Sequence, residues 1–141
     1  MTSPPLSLSI HTSSGKTLAF LVPAMTHISR SKDNFIKTKV LILAPTRELA
    51  LQIEAQCKEF EKTCGVKSLC VYGGVQKSIQ RQALREGAHI LVATPGRLVD
   101  FVNERSCDLS GISFLVLDEG MFLDLLYALF SLPNPKCFCD Y

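Results

Sequence analysis

Short apolar runs alternate along this chain with segments in which apolar residues recur every three or four positions. Val40–Ala44 is an apolar run without alternation, which is typical of a strand buried on both faces of a parallel sheet. From Thr46, apolar residues at helical spacing predict a helix that Gly65 ends. The same criteria predict strands over 6–10, 66–72, 89–93 and 114–117, and helices from about 15 to a polar break at 29–34, over 76–85 and over 97–103. Strands alternating with helices indicate an α/β domain with a mostly parallel sheet flanked by helices.

The last part of the chain has a different composition. Five of its aromatic residues (Phe122, Tyr127, Phe130, Phe138 and Tyr141) fall within 120–141, and Pro133 and Pro135 break any helix there. No pattern of a parallel strand follows these prolines. We therefore divide the chain into a domain over 1–119 and a separate tail over 120–141, and we expect the tail to be mobile from about Pro133.

Composition limits the class of protein. With 141 residues, 47% of them hydrophobic and 20% charged, the chain fits one globular domain, and its net charge of +2 does not by itself indicate a nucleic-acid partner. Six cysteines form no C-x-x-C pair and no Cys/His group at zinc spacing, which favours reduced thiols in an intracellular protein. The longest apolar stretch, Met121–Leu132, is shorter than the roughly 20 residues of a membrane span.

A candidate phosphate-binding loop precedes the first predicted helix, where the chain reads SSGKT at 13–17. Backbone N–H groups at such a junction converge on an anion together with the helix N-terminus. Gly15 permits close approach of the backbone, Lys16 reaches the terminal phosphates and the Thr17 hydroxyl can bind Mg²⁺. The candidate cofactor-binding residues are Thr12, Ser13, Ser14, Gly15, Lys16 and Thr17.

The run LVLDE at 115–119 ends in two carboxylates, as magnesium-holding strands of nucleotide hydrolases usually do. Asp118 would hold the ion through water, and Glu119 would polarise the attacking water. Together with the loop, this run predicts ATP and Mg²⁺ as cofactors. The candidate catalytic residues are Lys16, Asp118 and Glu119, and the candidate metal ligands are Thr17 and Asp118.

Three further strings lie between these two motifs: PTRELA at 45–50, GG at 73–74 and TPGR at 94–97. All five strings, in this order, resemble the DEAD-box family of ATP-dependent RNA helicases. In that family the three middle strings line a surface that grips the sugar-phosphate backbone of RNA. The resemblance implies that residues 1–119 form part of an N-terminal RecA-like P-loop lobe, incomplete in this chain, and that 120–141 is a tail outside the family pattern.

The resemblance implies an RNA-binding set whose roles follow from simple chemistry. Arg47 and Arg97 can each pair with a phosphate through a forked guanidinium. The two threonines offer hydroxyls, and the glycines expose N–H groups, so binding would be independent of sequence and sensitive to salt. The simpler alternative is that the prolines end strands, Arg47 and Glu48 form a surface pair and the glycines form a turn. The candidate RNA-binding residues are Pro45, Thr46, Arg47, Gly73, Gly74, Thr94, Pro95, Gly96 and Arg97.

The resemblance implies an ATP-dependent RNA helicase that acts on single-stranded or duplex RNA in the nucleus, nucleolus or cytoplasm, and we expect a monomer with no membrane association. The family's second lobe, which supplies an arginine finger, is not recognisable here, so we expect the isolated chain to be catalytically impaired. Two alternatives remain open: another P-loop enzyme such as a small kinase, and a non-enzymatic fragment that binds RNA or a partner weakly.

Overall fold

The computed structural model describes residues 14–30, 37–117 and 139–140, of which 14–19 and 139–140 are described through their backbone. Helices and strands alternate along these residues as the sequence predicts. They are α1 (Ser14–Ser29), β1 (Val40–Leu43), α2 (Arg47–Cys64), β2 (Ser68–Val71), α3 (Lys77–Glu86), β3 (Ile90–Ala93), α4 (Pro95–Asn103), β4 (Phe114–Leu117) and β5 (Cys139–Asp140). The predicted strand over 6–10 lies outside the described residues.

The strands form one sheet in the order β2-β3-β1-β4-β5, and every neighbouring pair is parallel. In the middle of the sheet, Val40 of β1 lies opposite Ile90 of β3 on one side and Phe114 of β4 on the other. This arrangement confirms the α/β class and the parallel sheet. It also brings the carboxyl ends of β2, β3 and β1 side by side at one edge of the fold.

Both faces of the sheet are covered, which explains why the strands show no polar alternation. Alternate residues of β1 point to opposite faces. Val40 and Ile42 pack into the cluster beneath α1 and α2, whereas Leu41 and Leu43 pack into the cluster that contains Phe101 of α4. All four positions of β1 and of β3 are buried.

The ends of α2 agree with the sequence prediction. The Thr46 hydroxyl caps the helix by accepting a hydrogen bond from the backbone N–H of Leu49 at 3.2 Å. At the other end, Gly65 adopts φ 71°, a left-handed conformation that glycine tolerates best. Both signals are local, so they could be read from the sequence alone.

Helix α4 begins at Pro95, two residues earlier than predicted. Proline suits the first helical position because its φ is already near the helical value and its missing N–H would have no partner there. Thr94 therefore becomes the N-cap residue. The predicted start at Arg97 was therefore wrong, because Pro95 and Gly96 form the first turn of the helix.

The end of the tail forms a short strand. Cys139 and Asp140 pair in parallel with Val116 and Leu117 of β4. The sequence showed no pattern of a parallel strand after Pro133, so this pairing was not predicted, and the mobility expected of the tail stays a prediction. The outer edge of β4 presents backbone groups that any extended segment can pair with, whatever its side chains. Residues 118–138 lie outside the described part of the chain.

Cys57, Cys64, Cys70 and Cys107 are free thiols. Burial raises the pKa of Cys57, Cys70 and Cys107 to about 12, so these thiols stay protonated near neutral pH. Over the described ranges no three potential ligands cluster as a metal site would require. None of the described helices combines the length and apolar character that crossing a bilayer requires.

Candidate nucleic-acid interface

The three middle motifs of the sequence meet at the carboxyl edge of the sheet. PTRELA begins just after β1, the glycine pair just after β2 and TPGR just after β3. The backbone hydrogen bonds between neighbouring strands continue past the strand ends. Thr94 N–H donates to Val71 O at 3.0 Å, and Ala44 N–H donates to Ala93 O at 2.9 Å. Because β3 lies between β2 and β1, TPGR is placed between the other two motifs.

Three helices begin at this same edge. Helix α2 starts at Arg47, α3 starts shortly after the glycine pair and α4 starts at Pro95. Helix N-termini carry partial positive charge and free backbone N–H groups, both of which favour anions. The edge is therefore positively polarised even before its side chains are considered.

Arg47 lies exposed over the turn that follows β2. Its guanidinium carbon is 5.1 Å from the centroid of the Tyr72 ring, which is the geometry of a cation–π contact. Its Nη1 is 3.3 Å from the position that a Cβ atom would take on Gly74. The aromatic ring thus holds the cation beside the glycine turn with its remaining donors directed to solvent.

Arg97 approaches the same turn from α4. Its Nη1 donates a hydrogen bond to Val75 O at 3.1 Å, and its Nη2 is 4.0 Å from the position of a Cβ on Gly73. The ring of Phe101 lies 6.0 Å from its guanidinium carbon. One nitrogen of this side chain is therefore already engaged with protein, and the others remain available because a guanidinium has five N–H donors.

The Gly73–Gly74 turn lies exposed between the two arginines. Gly74 has φ 90°, a backbone conformation that side-chain-bearing residues rarely adopt. Gly73 does not require a positive φ. The turn therefore needs a glycine at its second position, and the guanidinium groups lie close on either side of it.

The remaining predicted RNA-binding residues differ in what they offer. The Thr46 hydroxyl accepts from Leu49 as the helix cap and keeps its own proton to donate. Thr94 is also an N-cap residue, but its hydroxyl makes no capping bond and has no hydrogen-bond partner among the described residues. Pro45 is exposed, Pro95 opens α4, and a Cβ on Gly96 would meet nothing within 4 Å. All nine candidates lie at one edge of the sheet.

Electrostatics at this edge favour an anion. Among the described residues, no carboxylate forms an ion pair with either Arg47 or Arg97, and the suggested Arg47–Glu48 surface pair is not formed. Asp100 of α4 pairs with Lys77 at 3.5 Å, and Glu104, the C-cap residue of α4, pairs with Lys77 and Arg81, each at 2.9 Å. Hydrogen bonds from these two cations lower the pKa of the Glu104 carboxyl.

Two residues at this edge were missed by sequence reasoning. Tyr72 carries Arg47 on its ring, and Gln80 donates from Nε2 to Tyr72 O at 3.0 Å. Tyr72 had a signal, since an aromatic directly precedes the glycine pair. Gln80 had none, because a glutamine in a largely polar helix looks like a solvated residue. Only the packing of α3 against β2 shows that it is buried.

Only part of the candidate nucleotide site lies within the residues that the structure describes. Helix α1 begins at Ser14, so the backbone of Gly15, Lys16 and Thr17 forms its first turn, and this turn contains no acidic residue. An unopposed helix N-terminus of this kind fits an anionic group. Thr12, Ser13, Asp118 and Glu119 lie outside the described residues, and the predicted grouping of all these residues around one ion stays a prediction.

Comparison with known proteins shows which family this chain is similar to. A model described as DEAD/DEAH box helicase matches residues 4–123. The ATP-dependent RNA helicase DBP3 of Kluyveromyces lactis is 52% identical over 109 residues, which cover 77% of this chain and 21% of that protein. The DEAD-box ATP-dependent RNA helicase 30 of Arabidopsis thaliana is 48% identical over 114 residues, covering 77% and 19%.

A solved structure is similar as well. The crystal structure of the yeast DEAD-box splicing factor Prp28 superimposes with a TM-score of 0.75 at 35% sequence identity, covering 87% of this chain and 31% of that one. The parallel sheet flanked by helices thus matches the RecA-like domain of that protein. The chain spans about a fifth of the length of the curated relatives quoted above.

Proposed function

This chain belongs to the DEAD/DEAH box helicase family, and from that premise we propose that its positively polarised edge binds the sugar-phosphate backbone of RNA. The observation that carries the proposal is the placement of the Arg47 and Arg97 guanidinium groups on either side of the Gly73–Gly74 turn. Two cations beside an exposed glycine turn suit the phosphates of a nucleic-acid strand.

Such contacts would not distinguish bases. Guanidinium and backbone N–H groups bind phosphate oxygens, which are the same at every nucleotide, so binding is independent of sequence and falls as salt rises. Preference for RNA over DNA comes from 2′-hydroxyl contacts, for which the uncommitted Thr94 hydroxyl is a suitable partner. Single-stranded RNA, or one strand of a duplex, is the ligand.

ATP use follows from the family, and we assign its phosphates to the start of α1. The backbone N–H groups of Gly15, Lys16 and Thr17 in that first turn would bind phosphate oxygens, and the Lys16 ammonium would neutralise the terminal charge. Mg²⁺, held by Thr17 and by Asp118 through water, would polarise the phosphates when bound. Glu119 is assigned to orienting the attacking water.

The reaction to which this surface contributes is the ATP-dependent unwinding of RNA. Because the chain spans about a fifth of the matched relatives, we assign to these residues RNA contact and phosphate binding, and not the complete unwinding cycle. The assignment of RNA contact to these residues also holds for the alternative function, that of a non-enzymatic polypeptide that binds RNA weakly. RNA as the ligand places the protein inside the cell, in the nucleus, nucleolus or cytoplasm.

The RNA proposal predicts a specific salt dependence. Arg47→Ala and Arg97→Ala should each weaken binding of single-stranded RNA about tenfold, the usual scale for one charge-assisted hydrogen bond. Each should also reduce the slope of log affinity against log salt by about 0.7, as expected when one phosphate contact is lost. Fluorescence anisotropy with labelled oligonucleotides of different sequence, between about 50 and 200 mM salt, measures both quantities.

Arg85→Ala is the matched control for this experiment. Arg85 is an exposed arginine in the last turn of α3, away from the carboxyl edge of the sheet, so its removal changes the net charge equally and should leave the slope unchanged. An equal loss of RNA affinity in all three variants would contradict the assignment of Arg47 and Arg97 to the RNA-binding site. A change in base preference in Arg47→Ala or Arg97→Ala would contradict the backbone-only mode of binding.

The nucleotide assignment predicts that Lys16→Ala weakens Mg²⁺-dependent ATP binding by about 10–100-fold, the range for losing a hydrogen bond from a charged group. Titration with a fluorescent ATP analogue, with and without EDTA, measures the change in affinity. Lys67→Ala, which removes an exposed lysine at the amino end of β2, should bind normally. Equal losses in both variants would refute the assignment.

A further inference from the structure

We propose that Gln80 is a positioning residue of the RNA surface, which holds Tyr72 and through it both the Arg47 guanidinium and the Gly73–Gly74 turn. The inference rests on the proposed RNA-binding function, since it concerns the geometry of the same edge. Gln80 itself is buried and does not touch the ligand.

The burial of Gln80 is the first observation. Its side chain is 5% exposed, although the helix that carries it is otherwise largely polar. Its Nε2 donates to Tyr72 O, while its Oε1 has no hydrogen-bond partner among the described residues. A buried amide with an unsatisfied oxygen costs stability, which an apolar side chain of the same length would avoid. Packing alone therefore does not explain a glutamine here, whereas the bond to Tyr72 does.

The position of Tyr72 explains what that bond achieves. Tyr72 follows the last residue of β2 and directly precedes Gly73, so its carbonyl is the first backbone group of the turn. Its ring lies 5.1 Å from the guanidinium carbon of Arg47. A hydrogen bond to this one carbonyl therefore fixes both the backbone at the start of the turn and the position of the aromatic ring that Arg47 contacts.

A second bond holds the other end of the turn. Arg97 Nη1 donates to Val75 O at 3.1 Å, so the segment from 72 to 75 is held at its first carbonyl by Gln80 and at its last by Arg97. The two supports come from different helices, α3 and α4. Loss of Gln80 should therefore release Tyr72 and Arg47 while leaving the contact between Arg97 and Val75 in place.

Backbone mobility of the free protein tests the positioning directly. In Gln80→Met, which keeps the side-chain length but removes the amide, the ¹⁵N order parameters of the Gly73–Val75 amides should fall by about 0.2, on the scale where rigid backbone has about 0.85 and flexible backbone less than about 0.6. Order parameters in β1 and β3 should be unchanged. Gln56→Met is the matched control, because Gln56 also has a buried Oε1 without a partner among the described residues but lies on α2. Unchanged order parameters at 73–75, or an equal fall across the sheet, would overturn the proposal.

RNA binding provides the second test of the role proposed for Gln80. Gln80→Met should weaken binding about threefold, less than the full loss of a contact, and reduce the salt slope in the direction of Arg47→Ala. In double variants the effect of Gln80→Met should become smaller when Arg47 is already alanine and persist in full when Arg97 is alanine. Effects that multiply in both pairs would count against the proposed route through Tyr72.

The two tests distinguish failure of this inference from failure of the proposed function. If the unchanged protein shows no salt-dependent RNA binding, the RNA surface is refuted, while the order parameters at 73–75 still decide whether Gln80 holds the turn. If RNA binds and Arg47→Ala weakens it, but Gln80→Met changes neither affinity nor salt slope, the inference fails and the proposed function stands.

Discussion

Replacing Phe101 by alanine is expected to lower the free energy of unfolding by about 3–5 kcal/mol, the range for removing a buried aromatic side chain. Phe101 is fully buried in the cluster beneath α4, where it packs among residues such as Leu41, Leu43 and Leu98. Because domains of this size are stable by only about 5–15 kcal/mol, the variant should unfold at much lower urea concentration. Urea denaturation followed by circular dichroism measures the change.

Phe60→Ala is the comparison for this substitution. Phe60 packs against the opposite cluster from α2 but remains partly exposed, so alanine there removes less apolar area from contact. We expect less than half of the loss caused by Phe101→Ala. Equal losses in the two variants would show that the cluster beneath α4 is not packed as the structure describes.

Replacing Gly74 by alanine is expected to damage both stability and RNA binding. The residue has φ 90°, and holding a side-chain-bearing residue there costs about 1–3 kcal/mol. The added Cβ would also lie 3.3 Å from Arg47 Nη1, so the guanidinium must move from its position beside the turn. We expect RNA affinity to fall about tenfold, as it does when the Arg47 contact itself is lost. Urea denaturation and anisotropy on the same preparation measure the two effects.

Gly73→Ala adds the same methyl group to the same turn and isolates the backbone strain. Gly73 has no positive φ, and its Cβ would be 4.0 Å from Arg97 Nη2, an ordinary contact. Its stability should therefore stay within about 0.5 kcal/mol of the unchanged protein. If Gly74→Ala were as stable as Gly73→Ala, the left-handed conformation assigned to the turn would be incorrect.

Features that depend on neighbouring residues were predictable from the sequence. A helix from Thr46 that Gly65 ends was predicted, and the cap at Thr46 and the left-handed Gly65 both involve groups only a few positions apart. The apolar runs of β1 and β3 indicated strands buried on both faces, and all of their residues are buried. The start of α4 was misplaced because proline is compatible with the first turn of a helix as well as with its end.

The sequence by itself determined the order of helices and strands and the parallel sheet, and the family resemblance of its motifs implied that Arg47, Gly73–Gly74 and Arg97 share one surface. Only the tertiary structure decided the details of that surface. Apolar strands of similar composition do not specify their order across a sheet, so the position of TPGR between the other motifs depends on the crossovers. The Arg97 bond to Val75 and the Arg47 contact with Tyr72 join residues 22 and 25 positions apart, and no local periodicity encodes them. Gln80 shows the same limit, because its burial arises from packing between elements and not from its own helical pattern.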